Sequence, residues 1–87
     1  MKIVWDERKR TANLDKHRMD FADVGAFDWD RAVILAGRAD RFGKRRLKAV
    51  GHYEDRIAVV IFAMLGSEAV SIISFRPAKA KEKKVLE

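Results

Sequence analysis

Apolar and polar positions divide the chain into an early part with helical spacing and a later part with the two-residue period of strands. Residues 3–5 form a short apolar run and predict a first strand. Asp6 is a favourable N-cap for a helix that runs to about His17, whose basic last turn suits the negative end of a helix dipole. In this helix we expect Ala12 and Leu14 to contribute to the buried side.

A second, shorter helix is predicted over residues 21–27. Asp20 can cap it, and Phe21, Val24 and Phe27 recur at helical spacing along it. Two short helices therefore follow the first strand.

From residue 32 onward the two-residue period takes over and predicts four strands. Arg46, Lys48 and Val50 share one face of the second of these strands. The intervening Leu47 and Ala49 share its other face. The third strand is almost entirely apolar and is therefore expected in the middle of the sheet. The four predicted strands comprise residues 32–36, 45–50, 57–64 and 69–75.

The order of the predicted elements indicates the fold class. Pro77 ends the last strand, and a closing helix is predicted over residues 78–86. The order is thus β-α-α-β-β-β-β-α, which predicts an α+β fold with helices packed on one face of a small antiparallel sheet. We expect one domain, residues 1–87, because this length supports a single modest core.

Composition excludes several kinds of site. The chain has no cysteine, so disulfides, zinc–thiolate sites and a cysteine nucleophile are excluded. With only two histidines, a histidine-rich metal site is not expected, and no cofactor is predicted. The N-terminus becomes charged at once and the longest apolar run, residues 57–66, is too short for a membrane span. We therefore predict a cytoplasmic protein without membrane contact.

The net charge of +6 is concentrated in two short segments. Residues 38–48, which overlap a predicted polar connection at 37–43, have six basic side chains against Asp40 alone. Residues 76–87 have five basic side chains against two acidic ones, and the remaining chain is neutral or slightly acidic. Clustered positive charge indicates a surface for phosphates, and RNA is the expected polyanion. The alternative is a solvated charged face without a partner.

Three segments of the chain follow a known pattern in the same order. Residues 5–17 have a Trp-Asp pair, then a lysine, Asn-Leu and Lys-His, and Phe21 follows. Residues 42–51 have Phe-Gly followed by an arginine, an alanine and a glycine. Residues 72–78 read Ile-Ile-Ser-Phe-Arg-Pro-Ala, with Glu82 beyond them. Together these segments resemble the BrnT family of toxins over nearly the whole chain.

The resemblance implies a fold, an activity and a partner. The fold would be compact and RelE-like, and the activity would be inhibition of translation by RNA cleavage. The partner would be an antitoxin of the BrnA type with a ribbon-helix-helix DNA-binding part. Operator DNA would be bound only through that antitoxin.

The basic residues suit metal-independent cleavage of RNA. In such a reaction the ribose 2′-hydroxyl attacks the adjacent phosphate, cations stabilise the charge that develops on the phosphate oxygens, and groups nearby transfer protons. Arg46 and Arg76 are the best candidates for phosphate stabilisation, because arginine binds two phosphate oxygens and stays charged. His17 and Lys9 are the further catalytic candidates. Additional RNA contacts are expected from Arg41, Arg45, Lys48, Lys79 and Lys83.

Each catalytic candidate has an alternative role. Arg76 would equally suit a bond to backbone carbonyls or to an acidic neighbour. His17 would suit the C-terminus of its helix, and Lys9 would be an ordinary solvated lysine. Arg46 would belong to a solvated basic face.

The chain departs from the BrnT pattern at two arginine positions. The pattern has an aromatic residue, threonine, any residue and arginine at positions 62–65, and of these the chain keeps only the aromatic, with Leu65 in place of the arginine. At a second position the pattern has arginine and the chain has Ser71. A second hypothesis is therefore a weakened toxin relative that acts mainly by binding the antitoxin and regulating its own operon. A third is a plain RNA-binding domain of an unrelated family.

Overall fold

The computed structural model describes residues 2–39 and 41–87. Within these ranges the chain forms a five-stranded sheet with one long and several short helices. In chain order the elements are β1 (Lys2–Val4), α1 (Glu7–His17), a 3₁₀ helix (Phe21–Ala26), β2 (Val33–Ala39), β3 (Arg45–Tyr53), β4 (Arg56–Leu65), β5 (Ala69–Pro77), α2 (Ala80–Lys83) and a second 3₁₀ helix (Lys84–Leu86).

The order of strands in the sheet is β1-β5-β4-β3-β2. The pairs from β2 to β5 are antiparallel, as hairpins require. β1 instead pairs with β5 in parallel, with Ile3 opposite Val70. The expectation of a purely antiparallel sheet was therefore wrong at this edge. β1 and β5 come from opposite ends of the chain, so no hairpin fixes their relative direction.

The hydrophobic core lies between the first 3₁₀ helix and one face of the sheet, which we call the core face. Phe75 of β5 is fully buried there and makes edge-to-face ring contacts with Phe27 and Tyr53, at centroid distances of 6.4 and 5.0 Å. Burying an aromatic side chain of this size contributes about 1.5–3 kcal/mol. The other buried members of this core are Met19, Phe21, Val24, Ala49, Ala58, Val60, Phe62, Val70 and Ile72.

The opposite face of the sheet, which we call the second face, is partly covered by the C-terminal helices. Val50 and Val59 are fully buried but point away from the core face, because side chains alternate along a strand. Lys48 and Arg76 share the second face and both bind Glu82 of α2. The expectation that all helices pack on one face was therefore wrong, because these two cations hold α2 on the other side.

Helix α1 is attached to the sheet by a polar side chain. Asn13 is its one buried residue, whereas Ala12 is exposed and Leu14 is 37% exposed, contrary to the expected apolar side. The Asn13 amide donates to the carbonyls of Met19 and Phe75, and its oxygen accepts from the Phe75 N–H. β1 pairs with β5 only as far as Ser71. Farther along β5, the Asn13 side chain makes the hydrogen bonds to the Phe75 backbone that a neighbouring strand would otherwise make.

Candidate functional site

A cleft of about 520 Å³ opens on the second face between the β2–β3 hairpin and the end of β5. Arg38, Arg46, Lys48 and Arg76 line it. Two further depressions of about 520 and 460 Å³ adjoin it, because each shares two of these cations with the cleft. We call the combined surface the cationic trough. Its basic residues are Lys9, Arg38, Arg41, Arg46, Lys48, Arg76, Lys79 and Lys81.

The hairpin brings Arg38 and Arg46 to the same wall of the trough. The pairing of β2 with β3 shifts register between Ala36 and Ala39. At Gly37 the two strands are so close that a Cβ atom would lie 2.9 Å from the carbonyl oxygen of Arg46. The bulge thus turns the Arg38 side chain to the surface beside Arg46.

At the other end of the trough Glu82 binds two of the cations. Its Oε1 accepts from Arg76 Nη1 and from the backbone N–H of Lys79, both at 2.8 Å. Its Oε2 accepts from Arg76 Nη2 and Lys48 Nζ, also at 2.8 Å. A carboxylate has about four acceptor positions, and all four are used here.

This network fixes the ionisation of its members. The hydrogen bond from Arg76, more than those from Lys48 and the Lys79 backbone, holds the pKa of Glu82 far below its ordinary value. The pKa of Arg76 is raised in turn, chiefly by its bond to Glu82. Glu82 is therefore an anion at neutral pH, and all four of its acceptor positions are occupied by donors.

Most of the positive charge that is not compensated lies at the hairpin end of the trough. Within residues 2–39 and 41–87, Lys9, Arg38 and Arg46 make no ion pair. The guanidinium of Arg41 lies 5.0 Å from the centre of the Phe42 ring, which is 77% exposed. Unpaired cations beside an exposed aromatic ring form a surface typical of sites for single-stranded nucleic acid.

His17 lies beside the Arg76 end of the trough. Its imidazole is half-buried in the last turn of α1. Burial, and then the positive charges of Lys16 and Arg76, lower its pKa below 6.5. The imidazole is therefore mainly neutral at pH 7 and able to accept a proton.

The structure brings most of the predicted site residues together and separates two of them. Lys9, Arg41, Arg46, Lys48, Arg76 and Lys79 line the trough, and His17 is adjacent to it. The Arg45 side chain is on the other face of β3, because side chains alternate along a strand and the neighbouring Arg46 faces the trough. Lys83 lines a separate depression with Asp55 and Arg56.

Sequence reasoning assigned no site role to Arg38, Phe42 or Glu82. Arg38 was expected in a polar connection, whereas it lies on β2. The sequence feature that could have indicated a role for Arg38 in the site was its position in the basic segment 38–48. Glu82 was noted only as fitting the family pattern, and no local spacing indicates that it binds Lys48, which is 34 residues earlier.

Comparison with known proteins gives the family. The model for "Ribonuclease toxin, BrnT, of type II toxin-antitoxin system" matches residues 5–82. The chain belongs to the BrnT family. Among solved structures, the Brucella abortus ribonuclease toxin BrnT is 43% identical, covering 91% of this chain and 97% of its own, with a TM-score of 0.76. A search of curated proteins gave no match.

BrnT membership excludes one of the hypotheses drawn from the sequence. The resemblance of the three segments is confirmed, and an RNA-binding domain of an unrelated family is excluded. A type II toxin has an antitoxin partner and, as a BrnT toxin, an RNA substrate. In the part of the chain that the structure describes, no helix has the length and apolarity to cross a membrane.

Proposed function

We propose that the protein is a metal-independent endoribonuclease that inhibits translation by cleaving RNA bound in the cationic trough. The observation that supports this most strongly is the row of uncompensated cations Lys9, Arg38 and Arg46, which continues to Arg76 and the neutral His17. These are the groups that an attack by a ribose 2′-hydroxyl requires.

The proposed reaction uses these groups as follows. The 2′-oxygen attacks phosphorus while His17 takes the hydroxyl proton, and the bond to the 5′-oxygen breaks. Arg46 and Arg76 stabilise the charge on the phosphate oxygens, and Lys9 or water returns a proton to the leaving oxygen. The products are a 2′,3′-cyclic phosphate and a 5′-hydroxyl, so no water is consumed in this step.

The wider setting is also proposed from the BrnT family. The fold is RelE-like and the protein acts in the cytoplasm. A BrnA-like ribbon-helix-helix antitoxin neutralises it, and operator DNA is bound only through that antitoxin.

Cleavage of a labelled RNA in the presence of EDTA tests the activity. We expect cyclic phosphate ends from the wild-type protein and a loss of about 100-fold in rate for Arg46→Ala, the usual effect of removing one charge-stabilising donor. Arg45→Ala is the matched control, since it removes the same charge from the adjacent residue outside the trough. No cleavage by the wild type, or equal losses in the two variants, would contradict the proposal.

A second candidate function is an antitoxin-binding module with little nuclease activity. Leu65 and Ser71, where the BrnT pattern has arginine, fall on the second face by strand alternation, so that end of the sheet lacks two cations. Expression without antitoxin discriminates between the candidates. Arrested growth with RNA breakdown supports the nuclease, whereas normal growth with intact RNA supports the binding module.

A further inference from the structure

We propose that one edge of the Arg76 guanidinium is a phosphate subsite, and that Glu82 is the positioning residue that holds this edge in place. The inference rests on the proposed ribonuclease function and specifies how one of its cations contacts the RNA backbone.

Counting donors identifies the edge. A guanidinium has five N–H donors. Arg76 Nη1 uses both of its hydrogens, on Glu82 Oε1 at 2.8 Å and on the Pro77 carbonyl at 3.2 Å. Nη2 uses one, on Glu82 Oε2 at 2.8 Å. Within the described residues, Nε–H and the second Nη2–H have no partner.

The two remaining N–H bonds are parallel and point outward from the same edge of the planar guanidinium, the Nε–Nη2 edge. Arg10 shows in the same molecule that this edge binds an oxyanion. Its Nε donates to Asp20 Oδ1 at 2.7 Å and its Nη2 to Oδ2 at 3.0 Å. A phosphate presents two oxygens with similar geometry, which makes it a suitable ligand for the same edge of Arg76.

Glu82 is built to position Arg76 rather than to react. All four of its acceptor positions are occupied, and its side chain is only 9% exposed. It binds the end of the guanidinium through two parallel bonds, which fixes the plane and leaves the side edge available. Arg76 lines both the central cleft and the adjoining depression, so a phosphate in the trough meets a cation that is already oriented.

The same contact has an opposite interpretation, in which Glu82 only neutralises Arg76. Removing the carboxylate charge would then release a cation and increase both RNA affinity and cleavage. Positioning predicts the reverse for cleavage, because a mobile guanidinium stabilises the transition state less well. The two interpretations therefore differ in the sign of the change in kcat.

NMR of the arginine Nε–H groups tests the subsite directly. The probe is an RNA oligonucleotide with 2′-O-methyl riboses, which cannot be cleaved by 2′-hydroxyl attack. We expect the Arg76 signal, assigned with Arg76→Lys, to shift on titration. The Arg10 signal is the internal control, because Asp20 already occupies that edge. An Arg76 signal that stays unchanged at the highest oligonucleotide concentration would overturn the proposal.

Cleavage kinetics of Glu82→Gln test the positioning role. Glutamine keeps an oxygen that can accept from the Lys79 N–H, so α2 is expected to remain folded, which its melting temperature checks. We expect kcat to fall about tenfold or more with KM changed less than about threefold. Glu87→Gln makes the same charge change nearby and should leave both constants unchanged. A rise in kcat, or equal effects of the two substitutions, would refute positioning.

The two experiments separate this inference from the ribonuclease proposal. If the wild type does not cleave RNA but the Arg76 signal shifts, the subsite is supported and the catalytic proposal fails. If RNA is cleaved while the Arg76 signal stays unchanged, only the subsite is wrong.

Discussion

Replacing Asn13 by alanine should destabilise the protein more than any other alanine substitution on α1, because Asn13 is the one buried residue of that helix. Asn13 has four hydrogen bonds, to the Met19 carbonyl, the Phe75 carbonyl, the Phe75 N–H and the Ser74 hydroxyl, at 2.8–3.2 Å. Phe75 is fully buried and Met19 is 3% exposed, so their backbone groups have no ready access to water after the substitution.

The size of the effect follows from those contacts. A buried polar group that loses its partner costs about 1–3 kcal/mol, and three backbone groups lose theirs, whereas the half-buried Ser74 hydroxyl can turn to water. At about 1 kcal/mol each this gives about 3 kcal/mol. Alanine regains about 0.5 kcal/mol through its higher helix propensity. We therefore expect a net loss of about 2–3 kcal/mol, a large part of the stability of a small domain.

Urea denaturation followed by tryptophan fluorescence measures this loss, since Trp5 and Trp29 pack against the core. The midpoint should fall without a change in slope, and the melting temperature should fall by roughly 10–20 °C. Thr11→Ala is the control on the same helix, because Thr11 is exposed and bonds only to carbonyls of α1. A loss under about 1 kcal/mol for Asn13→Ala would show that α1 is not attached through this amide.

Three further predictions concern packing, pH and salt. Gly51→Ala places a Cβ 2.8 Å from the Phe27 ring and should cost about 1–3 kcal/mol in urea denaturation. Gly25→Ala, which meets no atom within 4 Å, should change stability far less; equal costs would contradict the packing argument. The pKa of Glu82 is lowered by folding, so its stabilisation is present at neutral pH and is lost as pH falls below about 4.5. Glu82→Gln should therefore lose less stability than the wild type between pH 7 and pH 3, and identical pH profiles would disprove this. RNA affinity should fall with salt with a log–log slope of about −2 if Lys9, Arg38 and Arg46 each contact one phosphate of a single strand, and more steeply for each further cation that does; a slope near zero would exclude backbone binding.

Features set by nearby residues were predictable from the sequence. Asp6 accepts from two backbone N–H groups of α1, and Asp20 accepts from the N–H of Ala22, so both predicted caps are confirmed. The apolar run predicted as a central strand is β4, which lies between β3 and β5. These predictions succeeded because caps and strand periodicity depend on contacts within a few residues.

Features set by distant residues were not predictable. The parallel pairing of β1 depends on contacts with β5, 67 residues away at Ile3 and Val70. Asn13 was overlooked because a polar residue on a helix normally indicates the solvated side, and its partner is the backbone of Phe75. The cationic trough was likewise predicted only in part, because some of its contacts join residues that are far apart in the sequence. Basic clustering identified most cations of the trough, but the sequence does not show which of them Glu82 compensates.

The end of β5 connects the stability of the fold to the geometry of the site. Asn13 holds the backbone of Phe75 from α1, and Glu82 holds the side chain of the next residue, Arg76, from α2. The two contacts lie on adjacent residues, so a shift of β5 along α1 would carry the guanidinium with it. A displacement of only about 1 Å is enough to weaken catalysis substantially. Variants of Asn13 are therefore expected to lose activity even under conditions in which they remain folded, and such loss at a residue outside the trough is evidence for this coupling.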